Sequence, residues 1–245
     1  MKAHARLTAE LDPATGRTVL RELRSMAPLT LFPKRGGTAA FVHLVNSATA
    51  PLGGDELTIT VRVGPGARLC VSGVAATLAL PGQHGEPSAA AVHVEIAEGG
   101  LLEYLPEPTV VTSRARHHAS LTAVLEPGAR LRTREMLVLG RDGERPGRLT
   151  TATHVTRAGV PLLRQELTVG DPVLDPSPAY LAGRRVLGTE VLVGAEDGAV
   201  QPASGQWWSL TPLAAGGALA TALAADAVTA ASDLDEARRH YPAWC

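Results

Sequence analysis

Aliphatic and polar residues alternate along most of this chain. The clearest run is Leu57-Thr58-Ile59-Thr60-Val61-Arg62-Val63, which puts four aliphatics on one face of a strand and three polar side chains on the other. Gly53-Gly54-Asp55 precedes it and Gly64-Pro65-Gly66 follows, both with turn chemistry. A strand with one wet face is expected in an antiparallel sheet. Residues 5–23 predict a hairpin turning at Asp12-Pro13-Ala14-Thr15-Gly16. Residues 28–37 read as a loop, and 41–45 as a short strand with Phe41 and His43 on one face. Further strands are predicted at 92–96, 121–125, 131–139, 149–156, 161–169, 186–193 and 198–201, with an exposed loop at 81–87 and a proline-rich crossing at 171–178. The period changes only at the end. Gly217 to Arg239 is rich in Ala, Leu, Glu and Arg and predicts helix, interrupted at Ala231-Ser232-Asp233, where Ser232 or Asp233 would cap a last helix.

A loose internal echo organises these strands. Val63-Gly-Pro-Gly-Ala-Arg-Leu69 recurs as Leu125-Glu-Pro-Gly-Ala-Arg-Leu131, with Glu98-Gly-Gly-Leu-Leu102 as a weaker copy between. The turn glycines are assigned as Gly66, Gly100 and Gly128, and each joins two alternating strands. Strand pairs stacked into a layered, helically wound β arrangement would produce this pattern. Three unrelated hairpin turns are the alternative. The expected fold is mainly β with a short helical C-terminal region. It is read as one domain over residues 1–245, β-rich over 1–205 and helical over 206–245.

Composition narrows the function. The net charge is −1, so no overall field draws the chain to nucleic acid or an anionic membrane. Only 3% of residues are aromatic, too few for a platform that stacks single-stranded bases. Cys70 and Cys245 form no disulfide framework, which fits a reducing compartment. The N-terminus lacks the apolar run of a signal peptide, and residues 213–231 are too weakly apolar for a membrane span. A soluble, cytoplasmic protein is expected.

Familiar catalytic motifs are missing. There is no phosphate-binding Gly-x-x-x-x-Gly-Lys-Ser/Thr loop, no Gly-x-Ser-x-Gly elbow and no His-Glu-x-x-His. His117 and His118 are adjacent, so on a strand their rings face opposite ways and they read as a solvated pair rather than joint ligands. A β-rich, barrel-type metal enzyme would need ligands converging from His43, His93, His117 and Glu103. What remains is a scatter of carboxylates: Asp55, Glu103, Glu107, Glu135, Asp142, Glu144 and Glu166. Such hard oxygen ligands offer weak, exchangeable sites to a divalent ion, and their bland reading is a solvated face or an ion pair with a nearby Arg.

Three blocks carry a resemblance. They are Gly53-Gly54-Asp55 with its strand, Gly64-Pro65-Gly66-Ala67 and Ala75-Ala76-Thr77; then Leu102-Glu103-Tyr104-Leu105-Pro106-Glu107-Pro108-Thr109-Val110; then Glu135-Met136-Leu137-Val138-Leu139-Gly140-Arg141, with Gly143-Glu144 just after. In this order and spacing, over roughly residues 30 to 170, the chain resembles the urease accessory proteins of the UreD (UreH) family. The resemblance implies a scaffold rather than an enzyme, acting in nickel insertion into apo-urease. Its implied partners are UreF-type and UreG-type proteins, the latter a nickel-carrying GTPase, together with apo-urease itself. It also implies a layered, wound β fold, no tightly bound cofactor and transient passage of nickel through the interior. Asp55, on the Gly-Gly-Asp block, is the first candidate to meet the metal, followed by Glu103 and Glu166. Glu135, Gly140, Arg141 and Glu144 match the third block, in a position to hold the fold rather than meet nickel. The chain departs from the family at Leu78-Ala79-Leu80, where an aromatic is common, and at Thr112-Ser113-Arg114, where an acidic residue is common.

Overall fold

Three strand–turn–strand units stack on one another in the computed structural model, which describes residues 1–195 and 200–242. The units are β5 (Glu56–Val63) with β6 (Arg68–Gly73), β8 (Ser88–Ile96) with β9 (Leu101–Leu105), and β11 (Arg116–Leu125) with β12 (Arg130–Leu139). The first strand of each unit lies in one sheet and the second in another. β5, β8 and β11 are neighbours in parallel, as are β6, β9 and β12. The turns stack too: Gly66 N–H donates to the Glu98 carbonyl at 3.0 Å and Arg130 N–H to that of Gly100 at 2.8 Å. This is the wound β arrangement that the internal echo predicts.

Two details differ from expectation. The glycine equivalent to Gly66 and Gly128 is Gly99, not Gly100: the three share φ values of +63, +65 and +70°, which favour glycine. And β5 is parallel to both neighbours, not antiparallel. Each coil brings the chain back in the same direction without a crossover helix, so the outer face of a parallel sheet stays wet here, with Arg62 exposed.

The remaining strands complete the two layers. β1 (Lys2–Asp12) and β2 (Arg17–Arg24) form the expected hairpin on one edge; β13 (Arg148–Arg157) and β14 (Val160–Val169) form another on the opposite edge. The first sheet runs β14-β13-β11-β8-β5-β1-β2. The second gains β3 (Leu29–Lys34) and β4 (Ala40–Asn46) at one side. At the other it gains β15 (Val186–Val193), β16 (Ala203–Ser204), β17 (Trp208–Pro212) and β18 (Ala218–Ala224), giving the order β16-β17-β18-β15-β12-β9-β6-β4-β3. The short β7 (Thr77–Ala79) and β10 (Thr109–Val111) pair beside β12. β3 falls where a loop is expected: Leu29 and Leu31 are buried against the core, and Pro33 is tolerated because the strand is at an edge. Among the described residues, no helix is long and apolar enough to cross a membrane.

The C-terminal segment is the main correction. Within the region expected to be helical, residues 208–212 and 218–224 form strands, and α1 (Ala227–Arg239) is continuous through Ala231-Ser232-Asp233. Its cap is Asp226, whose carboxylate accepts from Thr229 N–H at 2.9 Å. The burial of Ala218, Ala220, Ala222 and Ala224 has period two. These alanines form one apolar cluster with Ala230, Leu234 and Ala237 of the helix. Alanine has high helix propensity, but here it keeps a sheet face flat enough for a helix to sit closely on it. The predicted strand at 198–201 falls partly on residues 198 and 199, outside the described residues; Val200 and Gln201 are not strand.

Candidate functional site

The two sheets part around a cavity of about 160 Å³. Its origin is visible in the register. Across the first sheet, Leu57, Ala90, Ala119 and Thr151 form one inward row, and Ile59, Val92, Leu121 and Thr153 the next. Alanine in the middle of the first row removes side-chain volume from the interior, while the second row stays bulky. The opposite wall is built by Tyr104 of β9, Thr133 and Glu135 of β12, and Thr189 and Val191 of β15. The lining extends to Asn46 and Glu107, which are exposed, so the cavity reaches the surface beside β7 and β10.

Glu135 is the ionisable group of this wall. Period two along β12 turns Thr133, Glu135 and Leu137 inward and Arg132, Arg134 and Met136 outward, so the neighbouring arginine does not serve it. Thr151 Oγ1, from the facing sheet, donates to its carboxylate at 2.8 and 3.0 Å to the two oxygens. No cation pairs with Glu135 among the described residues. Burial pushes its pKa up to about 7, the Thr151 bond opposing the shift. Burial also raises Tyr104, with the Glu135 charge adding to the effect.

His117 is a second functional group, and the expectation of a solvated pair fails for it. His118 is exposed, but His117 is 4% exposed and lines the cavity. Its Nδ1 lies 2.8 Å from Ser88 Oγ. Burial, then the neighbouring His118, lowers its pKa to about 4. The signal available in the sequence was the period itself: alternation sets His117 on the same face as Ala119 and Leu121.

The other expected residues are placed elsewhere. Asp55 is buried, and its carboxylate takes the terminal ammonium of Met1 at 2.5 Å and Leu52 N–H at 2.8 Å. It closes the turn that Gly53 and Gly54 begin, where a Cβ on Gly53 would collide with the backbone of Gly82 and Glu86. Glu103 faces outward on β9 and meets Arg132 at 3.2 Å. Glu166 is exposed on the edge strand β14. The structure therefore does not bring Asp55, Glu103 and Glu166 together. Thr77 and Pro106 line the cavity. Arg141 and Glu144 form a two-pronged pair with both distances at 2.9 Å, closing a turn in which Gly140 has φ +76°. Hydrogen bonds from Arg141 and Ser113 hold the Glu144 carboxyl well below the usual range.

The ligands that a barrel-type metal enzyme would need are also dispersed. His43 bonds Ser72 on the outer face of the second sheet, His93 is exposed on the outer face of the first, and Glu103 is engaged by Arg132. Among the described residues, no three His, Cys, Asp or Glu side chains are grouped to hold a metal ion.

A further charged group lies under α1. Glu190 of β15 is completely buried, bonded by Arg132 Nε at 2.8 Å and Arg134 Nε at 2.6 Å. Asp235 of α1 reaches the same arginines at 3.5 and 2.7 Å. This network locks the helix to the sheet, on the far side of β12 from the cavity.

Comparison with known proteins gives this geometry its family. The family model described as UreD urease accessory protein matches residues 2–244. Urease accessory protein UreD 1 of Saccharopolyspora erythraea is 57% identical over 247 residues, covering 99% of this chain and 96% of its own length. Urease accessory protein UreD of Streptomyces avermitilis is 42% identical over 243 residues, covering 97% of this chain and 96% of its own. That of Parafrankia sp. is 40% identical over 261 residues, covering 96% and 87%. The three blocks, the wound β layers and a match over nearly the whole length agree, and the chain belongs to the UreD family of urease accessory proteins.

Proposed function

We propose that this protein is a urease maturation factor, a non-enzymatic subunit that lets nickel pass through its intersheet cavity toward apo-urease. In this reading it works in a complex with UreF-type and UreG-type accessory proteins, docked on apo-urease. The observation that carries the reading is Glu135: a carboxylate on the wall of an interior cavity, held by one hydroxyl and, among the described residues, by no cation. Carboxylates in folded proteins are ordinarily solvated or paired, and leaving one unpaired between two sheets costs stability. A transient cation is the partner such a group lacks.

The chemistry suits transport better than storage. A conduit must bind its ion strongly enough to admit it and weakly enough to release it. Glu107 at the mouth and Glu135 inside offer oxygen donors at two depths. A divalent ion arriving at Glu135 would displace its proton and replace lost hydration with the carboxylate and nearby hydroxyls. Asp55, Arg141 and Glu144 support the turns that frame this interior.

The test is urease activity together with nickel content per urease, in cells lacking this gene and in cells carrying it back as wild type, Glu135→Gln or Glu135→Ala. Wild type restores both readouts. Both Glu135 variants accumulate and co-purify with urease, yet restore less than about a tenth of the nickel. Full nickel loading by Glu135→Ala would overturn the assignment of this carboxylate, and full loading without the gene would overturn the function.

A further inference from the structure

The cavity contains one group whose chemistry differs from all the rest. Apart from Arg134, whose guanidinium is bonded to Glu190 and Asp235, its polar lining is otherwise carboxylate, hydroxyl or amide, and among the described lining residues only His117 carries a nitrogen lone pair. The ring is fixed by its neighbour. Ser88 stands directly opposite His117 in the parallel β8–β11 ladder and is 1% exposed. Its Oγ lies 2.8 Å from Nδ1. When that hydroxyl accepts from Nδ1–H, the Nε2 lone pair is left for the cavity. A histidine whose Nδ1–H is anchored to an oxygen while Nε2 stays open is arranged as metal-binding histidines are.

We infer that His117 is the selectivity residue of the cavity: its Nε2 is the nitrogen donor that favours nickel over magnesium and calcium, and Ser88 is the positioning residue that presents it. The inference rests on the proposed passage of nickel. An all-oxygen cavity would suit magnesium and calcium, which are hard ions, whereas imidazole nitrogen favours late first-row ions such as nickel. His117 adds a single nitrogen to a lining whose carboxylates are Glu107 and Glu135, and among the described residues no three His, Cys, Asp or Glu side chains are grouped to retain an ion.

The experiment is activation of apo-urease by nickel in the reconstituted accessory complex, with rising magnesium as competitor. Wild type keeps its activation. His117→Leu activates less than wild type without magnesium, and the activation that remains is inhibited at magnesium concentrations about tenfold lower. Ser88→Ala shows a smaller shift in the same direction. A second readout uses copper(II) as a probe of the same complex: pulsed electron paramagnetic resonance reports one coordinated imidazole fewer in His117→Leu than in wild type. Identical magnesium curves and identical imidazole signals would overturn the inference. If His117→Leu does not accumulate, Ser88→Ala and His117→Asn in the same two measurements decide it. Blocking the cavity at Ala119 separates the two levels. If blocked protein still delivers nickel, the passage itself fails; if blocking abolishes delivery but His117→Leu keeps wild-type selectivity, only the role of His117 fails.

Discussion

At the scale of single residues, the cavity is built at a cost, and Glu135 carries it. Its pKa rises from 4.5 to about 7 because the charged form is poorly solvated between the sheets. A carboxyl whose folded pKa exceeds its unfolded value stabilises fully below the unfolded pKa. That contribution fades as pH rises through the folded one. The window therefore runs from about pH 4.5 to pH 7. The loss is at most roughly 3 kcal/mol, reduced by any water that enters the cavity. Glu135→Gln keeps an acceptor for Thr151 but cannot ionise. Denaturant midpoints should then be equal to wild type near pH 4.5, while at pH 8 the variant should be the more stable protein even though it fails to deliver nickel. A midpoint gap that is constant with pH would show that the carboxylate is solvated. The third block marks Glu135 in the sequence, but spacing does not say that arginines serve Glu103, Glu144 and Glu190 while none serves Glu135 among the described residues. Asp55 stands out in the sequence through its Gly-Gly-Asp block, and in the structure its carboxylate accepts from Leu52 N–H in the turn beside the 82–86 loop.

At the scale of elements, alternation was legible wherever strands were long and mixed in polarity. It failed where a strand was made of residues that usually do something else. β3 contains Pro33 at an edge, and β18 is Ala-Leu-Ala-Thr-Ala-Leu-Ala, which composition assigns to helix. The contact that decides β18 is tertiary: α1 packs on its alanine face, and a Cβ on Gly188 would come within 2.9 Å of Leu234 Cδ1. The charges under the helix were equally hidden, since Arg132, Glu190 and Asp235 are far apart in sequence. Their energies are unequal. Glu190→Ala would leave two largely buried guanidiniums without their buried carboxylate, held only by the part-exposed Asp235 and, for Arg132, Glu103, and should cost about 3 kcal/mol. Asp235 is 43% exposed, and Asp235→Ala should cost less than about 1 kcal/mol. Thermal unfolding of the two variants tests this ordering. Equal losses would mean that the helix, not the buried carboxylate, holds the arginines in place.

At the scale of the whole molecule, the wound topology and the cavity are one design. Stacked coils place the same position of successive strands side by side, so a small residue repeated in neighbouring coils widens one continuous cavity rather than leaving a single dent. Ala90 and Ala119 are in register on adjacent strands and face the cavity. This separates two roles that an accessory protein can combine, holding partners together and letting an ion through. Ala119→Leu adds three carbons into existing space, a change that packed cores absorb at a cost below about 1 kcal/mol when the volume is already empty. Its unfolding midpoint and its co-purification with urease should match wild type, while nickel per urease should fall at least about tenfold. The outer surfaces of both sheets are unchanged by the substitution. Loss of nickel with an intact complex therefore assigns the interior to the metal. Normal nickel with the cavity filled would instead make the protein a scaffold alone, with the ion travelling outside it, and would leave the unpaired Glu135 to be explained by the fold.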